Sequence, residues 1–111
     1  MEYIKVEWLS EFPEEPELLF SEIDAGASCV VLCFEQLQEC TFGGVNDELF
    51  AEHPLCGKGL AIFGCFNIKH SRRLAELREL NRRHPAFSEE FWNTMTHYLI
   101  RFKEGELSCI A

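Results

Sequence analysis

The chain has 111 residues, 47% of them hydrophobic and ten of them Phe, which suits one domain with a real core and argues against disorder. Nineteen acidic residues against ten basic ones leave a formal charge of −9; this argues against a nucleic-acid backbone as direct partner and fits a basic protein or simply a soluble surface. The opening MEYIKVEWLSEF has no basic leader ahead of a long apolar run, and no stretch reaches the roughly 18 to 20 apolar residues of a membrane span, so the expected compartment is the cytoplasm.

Residues 3–9, YIKVEWL, alternate with Ile4, Val6 and Trp8 on one side and are expected as a strand with one wet face. Residues 10–16, SEFPEEP, are expected as a loop because Pro13 and Pro16 resist ladder pairing and helix continuation. A second strand is expected at 17–24. Residues 29–34, CVVLCF, read as a central strand, with 37–42 pairing back on it as a hairpin across Glu35 and Gln36. Asn46 is positioned to cap a short acidic helix over 47–52, which His53-Pro54 ends.

Residues 57–68, GKGLAIFGCFNI, are apolar on both sides of the pleat and are expected as an organising strand in the middle of the sheet, with Gly64 marking a bulge or a close backbone approach. A helix follows over 71–84, with Ser71 as N-cap, an apolar stripe of Leu74, Ala75, Leu77 and Leu80, and arginines on the other face. Residues 88–95, SEEFWNTM, begin with a capping sequence and bring Phe91, Trp92 and Met95 together as an aromatic anchor. Strands at 97–103 and 107–110, joined at Gly105, complete a single domain over residues 1–111. The expected class is α+β: an antiparallel or mixed sheet of about six strands against one main helix and one or two short ones.

Candidate sites are few. Cys29, Cys33, Cys40, His53 and Cys56 are metal-ligand types, but a four-residue spacing on a strand is unlike the tight pairs of structural zinc, and no metal or cofactor is expected. Without a secretory leader the six cysteines suit a reducing compartment, with Cys29, Cys33 and Cys65 as small buried groups. His97 with Cys109, or His53 with Cys56, offers a base beside a nucleophile, although His97 is expected at a wet or edge position. The basic face of Arg72, Arg73, Arg78, Arg82 and Arg83 could meet phosphates or another protomer's acidic half, and its plainer reading is a solvated face.

The charge is unevenly spread: residues 1–55 hold thirteen acids and one base, and residues 56–111 hold six acids and nine bases. Glu11, Glu14, Glu15, Glu17, Glu22, Asp24, Asp47, Glu48 and Glu52 are therefore the candidate partner-binding residues, since a one-sign region can steer a basic protein into place.

Two stretches carry a resemblance. Residues 3–8 with 16–24 resemble the amino terminus of a family of small uncharacterised bacterial proteins that begin with two strands joined by a proline loop. From Cys29 onward, Phe42-Gly43, Asn46-Asp47-Glu48, His53-Pro54-Leu55, Gly59-Leu60, His97-Tyr98 and Cys109-Ile110-Ala111 resemble a second such group, and Leu107-Ser108 departs from its acidic, aromatic closing strand. Proteins of this sort are similar to immunity proteins of bacterial toxin systems, which implies stoichiometric inhibition and not turnover. The two resemblances meet near residues 25–28, as in a hybrid, and no site residue is carried over from either.

The leading expectation is a small acidic immunity or antitoxin-like protein, not an enzyme, that occludes a basic toxin or nuclease and contacts neither nucleic acid nor membrane directly. The alternatives are a nucleic-acid mimic blocking a DNA-binding or RNA-guided nuclease, as anti-CRISPR proteins do, a small enzyme or metal-binding domain using Cys and His, and a homodimer.

Overall fold

The computed structural model describes residues 13–20, 32–44, 46–102 and 105–111. The expected strand at 3–9, the end of the strand at 17–24 and the first three residues of the one at 29–34 lie outside them.

The described residues form an α+β fold with one antiparallel sheet of five strands, β1 (Glu15–Phe20), β2 (Glu39–Gly43), β3 (Gly64–Lys69), β4 (His97–Arg101) and β5 (Glu106–Ile110), in the order β1-β3-β4-β5-β2. A 3-10 helix (Asp47–Glu52) precedes β3, and α1 (Arg72–Asn81) and α2 (Glu89–Asn93) lie between β3 and β4. Among these residues no helix is long and apolar enough to cross a membrane.

The helices form where their caps dictate. Ser71 Oγ accepts the Leu74 N–H at 3.1 Å to open α1, Ser88 Oγ accepts the Phe91 N–H at 3.3 Å to open α2, and Asn46 Oδ1 accepts the Leu49 N–H at 3.1 Å to open the 3-10 helix. Each bond satisfies a donor that has no partner inside its own helix.

Residues directly opposite across an antiparallel ladder share a face. Ile68, Phe66, Leu99, His97, Arg101, Ser108, Glu106, Ile110, Thr41 and Glu39 therefore point to one side, and Cys65, Tyr98, Ile100, Cys109, Leu107, Cys40 and Phe42 to the other. The first side carries the core. Trp92, Met95 and Ile110 pack together there with Leu74, Leu77, Phe87 and Phe91. Leu55 and Leu60 cover Phe66, Ile68 and Leu99, with Phe50 beside them. The α1 stripe and Trp92 thus cover this face, except that Leu80 is 58% exposed.

Four expectations need correction. The run 57–68 is a strand only from Gly64; positive φ at Gly57 (82°), Gly59 (107°) and Gly64 (132°) turns the first half out of the sheet, which leaves Ile62 and Phe63 exposed. β3 does lie inside the sheet, but the middle strand of the five is β4. Residues 37–42 do not form a hairpin with Leu32–Phe34, which are not in a strand; β2 pairs instead with β5, and Cys33 is consequently exposed. The loop at 10–16 ends early, because β1 already includes Pro16; at the edge of the described strands a missing N–H costs no ladder bond to them.

Candidate functional site

On the helix-bearing face, a gap remains between the N-terminus of α1 and the 53–55 turn. It is a cavity of about 280 Å³. The sheet supplies its floor through Thr41, Ile68, His97, Leu99, Glu106 and Ser108, and Glu14, His53, Pro54 and Leu55 form its walls.

Two hydrogen-bonded chains line it. In the first, His97 Nδ1 shares a 2.6 Å hydrogen bond with Ser71 Oγ, and His97 Nε2 a 2.7 Å bond with Ser108 Oγ. His97 is buried in β4, contrary to the expected wet position, and burial holds its pKa below the usual histidine value even though Glu14, Glu106 and Glu39 pull the other way. A neutral ring with a hydroxyl on each nitrogen satisfies all three side chains. Because Ser71 also caps α1, this chain fixes the helix to the sheet.

In the second chain, the Leu55 N–H donates to His53 Nδ1 at 3.0 Å, so Nε2 carries the proton of the neutral ring and donates to Glu106 Oε2 at 2.9 Å. Arg101 Nη1 donates to the same carboxylate oxygen at 3.3 Å, and its guanidinium lies over the Phe50 ring, 5.2 Å from the centroid. With its side chain fully buried, Arg101 needs such a carboxylate.

These geometries separate the expected nucleophile pairs. Cys109 points to the face opposite His97, whose neighbour on β5 is Ser108. Both nitrogens of His53 are engaged by Leu55 and Glu106, which leaves neither for Cys56. The Ser108–His97–Ser71 chain places a hydroxyl, an imidazole and a second hydroxyl in line, with a neutral Ser71 where a hydrolytic triad carries a carboxylate. Among the described residues no group of three or more His, Cys, Asp or Glu could hold a metal ion.

The candidate acidic residues fall on two elements. Glu14 directly precedes β1 and Glu15 and Glu17 lie on it; Glu14 Oε2 accepts the Arg72 N–H at 3.0 Å and Glu17 pairs with Lys69 at 2.6 Å. Asp47, Glu48 and Glu52 lie on the 3-10 helix, and none of them has an ion-pair partner among the described residues. Of these six only Glu14 lines the cavity, which His53, the C-cap of the 3-10 helix, also lines. Glu11, Glu22 and Asp24 lie outside the described residues.

The basic face of α1 is mostly engaged within the chain. Arg73 grips Glu39 through Nε at 2.8 Å and Nη2 at 2.5 Å and also reaches Glu76, which lowers the Glu39 pKa through the Arg73 hydrogen bond and raises that of Arg73. Arg82 pairs with Glu79 and Glu89, and Arg78 bonds Asn93 and approaches Glu89.

Sequence reading missed Ser71 and Ser108 as partners of His97, and the pairing of Arg101 with Glu106. A signal for the second was present. Folding the chain about residues 103 and 104 sets 101 opposite 106 and 99 opposite 108, the observed register. Comparison with known proteins finds no family model, curated protein or solved structure that matches this chain.

Proposed function

We propose that the protein is a small stoichiometric inhibitor that docks through its acidic elements on a basic protein, in the manner of an immunity protein or antitoxin, and acts by occlusion in the cytoplasm. The observation that carries this reading is how the charges are spent. Arg73, Arg78, Arg82, Arg101 and Lys69 pair with carboxylates of the same chain; among the described residues Lys58, Arg72 and Arg83 have no ion-pair partner, against Glu14, Glu15, Glu35, Asp47, Glu48, Glu52 and Glu90, which also have none. The outward charge left over is negative, and it can steer a basic protein toward the 3-10 helix and the start of β1.

The test begins with immobilised protein and a host extract at low salt. A basic protein should be retained in stoichiometric amount, released by salt, and inhibited in its own activity by the added chain. With that protein purified, Glu48→Lys combined with Glu52→Lys should slow association at low ionic strength by about tenfold, and the difference should shrink at high salt. An unchanged on-rate removes the acidic helix from the docking surface. If duplex DNA at constant ionic strength displaces the chain, the occluded surface is the partner's own nucleic-acid site, as the mimic reading requires.

A further inference from the structure

The face of the sheet turned away from α1 places two thiols together. Cys40 on β2 and Cys109 on β5 are direct partners in the ladder, and their sulfurs lie 3.0 Å apart, closer than ordinary sulfur contact. The register explains this. Thr96 and Ala111 exchange backbone bonds at 2.8 and 3.0 Å, and Phe102 and Gly105 do so at 2.7 and 3.4 Å. Hydrogen-bonded pairs recur every second residue, so Tyr98 and Cys109 form one as well, and the Cys109 backbone groups turn toward β4. Toward β2, Cys109 therefore occupies a non-hydrogen-bonded position, where paired Cα atoms approach to about 4.5 Å and side chains lie closest. That spacing falls inside the range of about 4.4–6.8 Å that a disulfide spans.

We propose that Cys40 and Cys109 are a redox site: a dithiol that closes to a reversible cross-strand disulfide and staples the edge strand β2 to β5. The oxidant is a small disulfide such as oxidised glutathione. Cys40 is exposed and Cys109 is 1% exposed, so the external disulfide meets Cys40 first. The Cys40 thiolate attacks one sulfur of the reagent, forming a mixed disulfide and releasing one glutathione thiol. Cys109, deprotonated as it attacks, bonds to Cys40 Sγ and expels the second glutathione thiol. In sum, two protein thiols and one glutathione disulfide become one protein disulfide and two glutathione thiols, the protein losing two electrons and two protons. Burial, with the Cys40 contact, pushes the Cys109 thiol up to about 12, so in the reduced protein it remains a thiol. The closed bond clamps the strand that holds Glu39, and through it Arg73 of α1.

The experiment treats the folded, reduced protein with oxidised glutathione, blocks remaining thiols and maps the peptides without reduction. The expected product is a crosslinked peptide pair containing Cys40 and Cys109, lighter by two hydrogens, absent from Cys40→Ser and reopened by dithiothreitol. Closure should raise the Tm by about 10 °C, because a long loop of the unfolded chain is constrained. Cys40 is exposed, so its Ser variant should keep the reduced protein's Tm. Glutathione persisting on Cys40 with Cys109 still free, full alkylation of both thiols after oxidation, or crosslinks scattered over Cys33, Cys56 and Cys65 would each overturn the proposal.

Discussion

Arg101 shows how a single side chain can set the requirements of a sheet. Its guanidinium is buried on the middle strand, and a carboxylate it bonds, Glu106, is oriented by His53 and opens toward the cavity. Arg101 Nε also donates to the Ile62 carbonyl at 3.4 Å, but removing the carboxylate while leaving the arginine takes away a charged partner that helps make burial of the charge tolerable. Glu106→Ala should therefore destabilise the protein by about 3 kcal/mol, read as a shift in the urea midpoint. Replacing both partners with apolar residues, Arg101→Met with Glu106→Leu, should cost less than the single change, because no charge is then left buried. A double variant as unstable as the single one would mean that packing around Arg101, and not its charge, carries the site. The pair was accessible from the hairpin register, since folding the chain about residues 103 and 104 places 101 against 106. The Ser71–His97–Ser108 chain was not, because Ser71 reaches His97 only through the way α1 crosses the sheet, and no local pattern encodes that crossing.

At the level of elements, legibility follows how local the determining contacts are. α1, α2, the 3-10 helix and β5 were readable because caps, helical spacing and period-two alternation act within a few residues of each other. The partner of β2 was misread because strand pairing is settled by residues far along the chain, here Cys40 against Cys109 and Glu39 against Arg73. The 57–68 run misled because apolar composition says strand while glycine φ values say turn. Glycines also differ in what they permit. A Cβ on Gly105 would lie 2.5 Å from the Gly43 carbonyl oxygen, whereas one on Gly57 would meet nothing within 4 Å. Both have positive φ, so Gly57→Ala should cost about 1 kcal/mol from backbone strain alone. Gly105→Ala, which must also push β2 away from the β4–β5 hairpin, should cost at least about 2 kcal/mol more by denaturant titration. Equal losses would mean that β2 yields freely at that end.

Across the whole molecule, the two halves of opposite sign first invite a head-to-tail dimer, with the acidic half of one copy on the arginine face of another. The pairs inside one chain answer that invitation internally. Arg73 already holds Glu39, Lys69 holds Glu17, and the first turn of α1 already takes the Glu14 carboxylate through the Arg72 N–H. A second copy would have to break those pairs or rely on Arg72 and Arg83, which have no ion-pair partner among the described residues, and it would bring a further formal charge of −9 toward the first. Repulsion between like-charged copies is strongest where screening is weakest, at ionic strengths of about 0.01 M, where the Debye length is roughly 30 Å. Light scattering coupled to size exclusion should therefore report the mass of one chain at low salt and the same mass at about 0.5 M salt. A dimer at low salt that falls apart as salt rises would show that the arginine face is satisfied between copies, and would withdraw from the inhibitor reading the uneven spending of charge on which it stands. A dimer that appears only at high salt would have an apolar origin and leave that charge argument intact.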